Sequence, residues 1–216
     1  RVLFRSVVDL PGVDSHTFDT MLKHIYTVKQ PILEDETSAK KLLVAADRYH
    51  LTDLKLYVES VLVDKFVTRN NAAELLLFAD SHSCALLKEA TLDACVSSDM
   101  DTLRKTHGWT MVEESQKILS EVLNHAHTGY RSYFYDWKNN SNRSDNDGKG
   151  SGENNKKKEK KHDGSSNNDD GLDRLDVFSL RERLDEVDLD VDGSRETLVQ
   201  RLRKNAVLAG QASIER

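Results

Sequence analysis

The chain has 216 residues, 38% of them hydrophobic and 31% charged, with a formal net charge of −6. That length accommodates one large or two small domains, and that charge excludes a whole-molecule polyanion binder, so nucleic-acid contact would be confined to a local patch. No run approaches the roughly 18 apolar residues of a membrane-spanning helix, and the first residues lack the apolar core and cleavage site of a signal peptide. The sequence opens on Arg1 and is already domain-like there, which reads as a fragment.

Val2, Leu3 and Phe4 read as the end of a strand. Asp14 or Ser15 is placed to cap a helix with Phe18, Leu22 and Ile25 on its apolar face and Met21 and Tyr26 beside it. Pro31 interrupts. Thr37 opens a second helix, striped by Leu42, Ala46 and Tyr49, and Thr52 a third, bearing Leu54, Val58, Val61 and Leu62. Thr68 is then a candidate N-cap for a helix with Leu75, Leu76 and Ala79 on one face, and Leu87, Ala90 and Ala94 define another. A helix near 112–124 carries Ile118, Val122 and Leu123. These apolar residues are read as core. Cys84 and Cys95, the only cysteines, lie on roughly one helical face ~16 Å apart, beyond disulfide reach, so both are expected to be buried free thiols, as in an intracellular protein.

Tyr130, Tyr133, Phe134, Tyr135 and Trp137 form an aromatic cluster expected to fold back on the helices. Residues 138–171 contain no aliphatic or aromatic side chain, and such a stretch buries too little apolar surface to offset the entropy of ordering. It is expected to be a disordered linker. Within it Lys156, Lys157, Lys158, Lys160 and Lys161 have the composition of a nuclear-import signal, which favours a nuclear location without excluding a cytoplasmic pool. Beyond it Val177, Leu180 and Leu184, then Leu198, Val199 and Leu202, mark two amphipathic helices, with Leu189 plugging the gap, Gly193 turning the chain and Ser194 placed to cap.

Two families are resembled. N-A-A-E-L-L-L-F-A-D-S-H-S followed by G-W-T-M-V, D-L-P-G-V-D-S-H-T-F-D-T-M-L-K-H-I-Y-T, and L-L-V-A-A-D-R-Y-H-L-T-D-L-K resemble, in unbroken order, BTB/POZ proteins of the speckle-type kind. The C-terminal pattern, with Gly193, Arg195 and the Arg201-Leu202 pair, resembles the SAP motif, a compact helix-extended-helix module. Asp188 stands where SAP modules usually carry glycine. The implied organisation is the C-terminal part of a BTB/POZ domain over 1–67, a 3-box or BACK-like helical region over 68–137, the linker over 138–171, a SAP-like module over 172–206, and a tail over 207–216. The implied fold class is mainly α, a truncated BTB/POZ α/β domain continuing into helices.

The BTB/POZ resemblance implies a non-catalytic adaptor that recruits a protein substrate to cullin-3, dimeric in its full-length form. The family's hydrophobic-x-glutamate cullin anchor would lie before Arg1. The cullin contacts it leaves here are Tyr49 and His50 at the bend after A-A-D-x-Y, and Thr68, Asn71 and Leu76 in the helical pair. The SAP resemblance implies weak DNA or RNA binding through Gly193, Ser194, Arg195, Arg201 and Lys204, against a local balance of nine acidic to seven basic residues over 172–205. The alternative is a BTB-based scaffold or transcriptional regulator tethered to DNA without a ligase role. No cofactor, metal set or catalytic constellation is apparent; His125-x-His127 is the one close histidine pair and reads as surface histidines after a helix.

Overall fold

The computed structural model describes residues 10–128 and 170–214. The expected strand at Val2–Phe4, the aromatic cluster, nearly all of the linker and its lysine cluster lie outside them. The chain divides into two compact units. The expectation of a mainly helical protein holds, and no strand occurs among the described residues.

The first unit runs α1 (Ser15–Thr27), α2 (Glu36–Arg48), α3 (Thr52–Val61) with a π-helical turn (Leu62–Phe66), α4 (Ala72–Ser81), α5 (Ala85–Val96), α6 (Met100–Leu103), α7 (His107–Glu114) and α8 (Gln116–Thr128). Side-chain caps start several of these: Asp14 accepts from Thr17 N, Asp35 from Ser38 N, and Thr106 from Trp109 N. The α2 cap is therefore Asp35, two residues before the expected start at Thr37. Thr68 caps nothing; Asn71 holds the N-cap position of α4. The single helix expected near 112–124 is two, broken at Ser115, whose backbone is extended.

α4 and α5 form an antiparallel pair on which α7 and α8 pack. Ala72, Ala73, Leu76, Cys95, Leu103, Trp109, Val112, Ile118 and Val122 make one buried cluster. Leu42, Leu43, Leu54, Val58 and Leu62 are buried within α2, α3 and the π-turn. The α1 stripe differs from its expectation. Thr17 and Met21, one turn apart, are the residues it buries, whereas Phe18 and Ile25 are exposed and Tyr26 is 82% exposed. α1 meets α2 through a line of contacts narrower than its apolar face.

Burying charge is costly without a partner, and this unit pairs what it buries. Glu59 on α3 is fully buried and accepts from Leu86 N (2.8 Å) and Leu87 N (3.1 Å), capping α5, whose own N-cap residue Cys84 makes no side-chain cap bond. Asp93 on α5 lies 2.6 Å from Nε2 of His125 on α8. That corrects the reading of His125 as a surface histidine: Asp93 is 3% exposed and draws the ring inward. Lys88 reaches Asp80 and Glu121, both at 2.7 Å, and Lys117 also binds Asp80 at 2.9 Å, tying α4, α5 and α8 together.

The second unit has a 3-10 turn (Leu172–Arg174), α9 (Val177–Asp185) and α10 (Arg195–Ile214), joined by a loop. Asp176 caps α9 through Ser179 N at 2.8 Å. Leu172, Val177, Leu180, Leu184, Leu198 and Val199 are buried, with Leu189 and Leu202 half-buried. α10 continues to Ile214, past the expected module end at 206. The expected linker also runs two residues too far, because Asp170 accepts from Arg203 (2.8 Å) and Gly171, at φ 70°, starts the 3-10 turn.

The ends of α1, α2, α4 and α9 share one feature. α2 closes with Leu51 N to Ala46 O (2.9 Å) and His50 N to Asp47 O (3.2 Å), the α4 end with Cys84 N to Ala79 O (2.9 Å), and the α9 end with Leu189 N to Leu184 O (2.9 Å). Each is a Schellman closure whose reversing residue takes the left-handed conformation glycine usually supplies. Here those residues are His50 (φ 54°), Ser83 (φ 54°) and Asp188 (φ 55°), with Val28 (φ 55°) ending α1 similarly.

Candidate partner-docking site

The α2–α3 bend is built by the closure just described. Reversing the chain at His50 turns Tyr49 and His50 outward: Tyr49 is 37% exposed and His50 is exposed. A non-glycine residue held at positive φ on the surface carries strain that side-chain packing does not repay, which is a reason to ask what the side chain does. Beside the bend lies a groove of about 380 Å³ between the end of α1 and the start of α3, lined by His24, Ile25, Val28, His50, Leu51 and Asp53. Its lining alternates apolar side chains with imidazoles and a carboxylate, a mixture that suits a protein side chain or short segment.

The candidates from the helical pair are elsewhere. Thr68 donates its amide and hydroxyl to Asn71 Oδ1, both at 2.8 Å. Asn71 Nδ2 in turn donates to Glu36 Oε2 (2.8 Å) and Phe66 O (2.9 Å). Glu36 also binds Lys40 (2.6 Å), which binds Glu74 (2.9 Å). Asn71 is therefore a hub joining the starts of α2 and α4. Glu36 opens α2 and Tyr49 follows its last residue, so the hub and the bend are separated by the 13-residue helix, about 20 Å. The five residues do not form one site. Leu76 is completely buried in the α4–α8 core, a correction to its place among docking residues: its side chain meets other apolar groups and not a partner.

The H-G-W stretch has a structural explanation that spacing did not reveal. A Cβ on Gly108 would sit 2.6 Å from Glu74 N, so α7 touches the α4 backbone at this position. Trp109, 3% exposed, donates its indole N–H to Glu113 at 2.7 Å. Of the other residues missed, Glu59 had no sequence signal, since a buried carboxylate capping a helix 27 residues away is a tertiary arrangement.

Both cysteines are free and buried. Burial pushes the Cys95 thiol up to about 12, and burial together with the Glu59 charge pushes Cys84 up further, so neither is a reactive thiolate. Among the described residues no group of three or more His, Cys, Asp or Glu side chains could hold a metal ion, and no helix is long and apolar enough to cross a membrane.

In the C-terminal unit Gly193 (φ 121°) and Ser194 lie in the loop before α10. The cationic candidates are already engaged. Arg195 donates to Asp173 O (2.9 Å), and Arg201 binds Asp190 through its carbonyl (2.9 Å) and carboxylate (2.7 Å). Neighbouring Arg203 binds Asp170 (2.8 Å) and Asp173 (2.6 Å). Lys204 is exposed.

Comparison with known proteins gives two findings. Residues 4–66 match the BTB/POZ domain, a protein-interaction module, and the match ends with the π-turn at Phe66. The chain is 34% identical over 128 residues to TD and POZ domain-containing protein 4 of Mus musculus, covering 59% of this chain and 34% of that protein. It is 31% identical over 126 residues to TD and POZ domain-containing protein 2 of the same species, covering 58% of this chain and 34% of the relative. The chain thus spans about a third of the length of these relatives. Residues 4–66 thus match the BTB/POZ domain, and over little more than half its length the chain is similar to the TD and POZ domain-containing proteins.

Proposed function

We propose that this protein is a substrate-recruiting adaptor of a cullin-3 ubiquitin ligase, with the α2–α3 bend as part of its cullin-docking surface. The observation that carries this reading is the exposed pair Tyr49 and His50, held by a left-handed bend beside a groove of mixed apolar and polar lining, in a chain that matches the BTB/POZ domain over residues 4–66. Thr68 and Asn71 act indirectly, by fixing the start of α4 against α2. The adaptor contributes no chemistry of its own. It binds the ligase scaffold with one surface and a target protein with another, and it dimerises through its BTB/POZ domain.

The C-terminal unit is proposed to capture the target by protein contact. The acidic balance of the unit, with Arg195, Arg201 and Arg203 already turned to its own oxygens, favours a protein ligand over a phosphate. The test is calorimetric titration of the protein with the N-terminal domain of cullin-3, alongside salt-dependent binding to a DNA duplex. Saturable cullin binding with no DNA binding at physiological salt is the expected pair of results. DNA binding with a steep salt slope and no cullin binding would overturn it.

A further inference from the structure

We propose that Asp185-Glu186-Val187-Asp188 is a recognition site for an aspartate-specific cysteine endopeptidase of the caspase type, which cuts between Asp188 and Leu189. Such an enzyme reads four residues in order on the N-terminal side of the cut. An arginine-lined pocket takes the last aspartate through paired charge-assisted hydrogen bonds, a small branched apolar residue precedes it, and acidic residues fill the two positions before that. The order of side chains carries the site, not the density of acid around it. Asp190 and Asp192, in the same acidic stretch, lack that order upstream.

Accessibility and conformation support the assignment. All four residues are exposed, Val187 at 43%. α9 ends at Asp185, and the other three form the turn that follows. The carboxylates of Asp185, Glu186 and Asp188 take part in no ion pair among the described residues, whereas Asp190 is held by Arg201. Four backbone hydrogen bonds secure the segment: Glu186 N to Glu182 O (3.0 Å), Val187 N to Leu184 O (3.2 Å), Asp188 N to Asp185 O (3.0 Å) and Leu189 N to Leu184 O (2.9 Å). Against them stands Asp188 at φ 55°, where an L-residue other than glycine is strained. That strain favours opening of the turn into the extended form a protease binds.

The reaction is hydrolysis. The enzyme thiolate attacks the Asp188 carbonyl carbon, the C–N bond to Leu189 breaks, and the nitrogen leaves as a protonated amine. One water then releases the acyl group as a new carboxylate on Asp188. The cut parts Leu180 and Leu184 on α9 from Leu198 and Val199 on α10, so two apolar stripes that form one core lose their covalent link. Half-buried Leu189 must be drawn out for cleavage, so the folded chain is cut more slowly than a free peptide of the same sequence.

The test incubates the full chain with purified caspase-3 and follows intact mass. The expected products divide at Asp188–Leu189. Asp188→Asn, which keeps the shape and tolerates positive φ, and Asp185→Asn, at the first recognised position, are each expected to slow cleavage by on the order of 100-fold, with circular dichroism unchanged. The proposal is overturned if the full chain stays intact while a synthetic peptide of residues 182–194 is cut, or if Asp188→Asn is cut at the wild-type rate.

Discussion

The two units use charge in opposite ways. In the helical unit of α1–α8, Lys55, Glu59, Glu89 and Asp93 are buried, and Glu59 and Asp93 find their partners on α5 and α8. In the C-terminal unit no charged residue is buried among the described residues, and its arginines meet their carboxylates near the surface. A buried pair is costly to break because the survivor is stranded in a poor solvent, while an exposed pair is replaced by water at little cost. The first unit is therefore specified partly by polar groups, and the second rests on a small set of apolar side chains, near the lower size limit for a core that stands alone.

Breaking the comparison at its strongest point means Glu59→Ala. Stranding the Leu86 and Leu87 amides in the core is expected to cost about 3 kcal/mol in urea unfolding of the helical unit, with Glu59→Gln recovering part of the loss because one oxygen still accepts. Gly108→Ala comes next. Its methyl meets α4 backbone, which cannot swing aside, and about 2 kcal/mol is expected from the same unfolding curve. A gain is expected from Asp188→Gly, which relieves the left-handed strain and should stabilise the C-terminal unit by about 1 kcal/mol in thermal melts.

Acid sharpens the contrast further. Burial alone would raise the Asp80 carboxyl, but the ammonium groups of Lys88 and Lys117 outweigh it and hold the folded value below the ordinary range. A depressed folded pKa gives stability that is present above the unfolded value, about 3.9, and is lost as pH falls through the folded one. Unfolding midpoints of the helical unit should therefore drop below about pH 4, and Asp80→Asn should flatten that part of the profile. The smallest effect is expected from Arg203→Ala. Its carboxylate partners are solvent-accessible, so the melting of the C-terminal unit should be unchanged within error at physiological salt.

How much of this was legible depended on how local the cause was. The cap at Asp14 and the apolar stripes of α3 and α9 follow from spacing within a few residues and stand as read, while α2 buries Leu42 and Ala46 but not the expected Tyr49. Helix ends were harder. Punctuation by glycine is the usual signal, and this chain closes helices at His50, Ser83, Asp188 and Val28 instead. The α1 stripe was over-read because periodicity shows that a face is apolar, not that anything covers it. For the docking candidates, sequence proximity to a family motif put Leu76 beside Tyr49, although one is core and the other lies beyond the far end of α2 from the α4 start. Glu59, Gly108 and the Asp93–His125 pair depend on elements meeting in space, which one sequence does not disclose.

The central claim is that the α2–α3 bend docks the cullin scaffold. It is tested most directly by calorimetry of the cullin-3 N-terminal domain against the protein and its Tyr49→Ala/His50→Ala variant, with melting curves for both. The account predicts a saturable complex that weakens at least tenfold in the variant while the melting temperature holds. Undiminished affinity in a folded variant, or no complex with a folded wild-type protein, would contradict it.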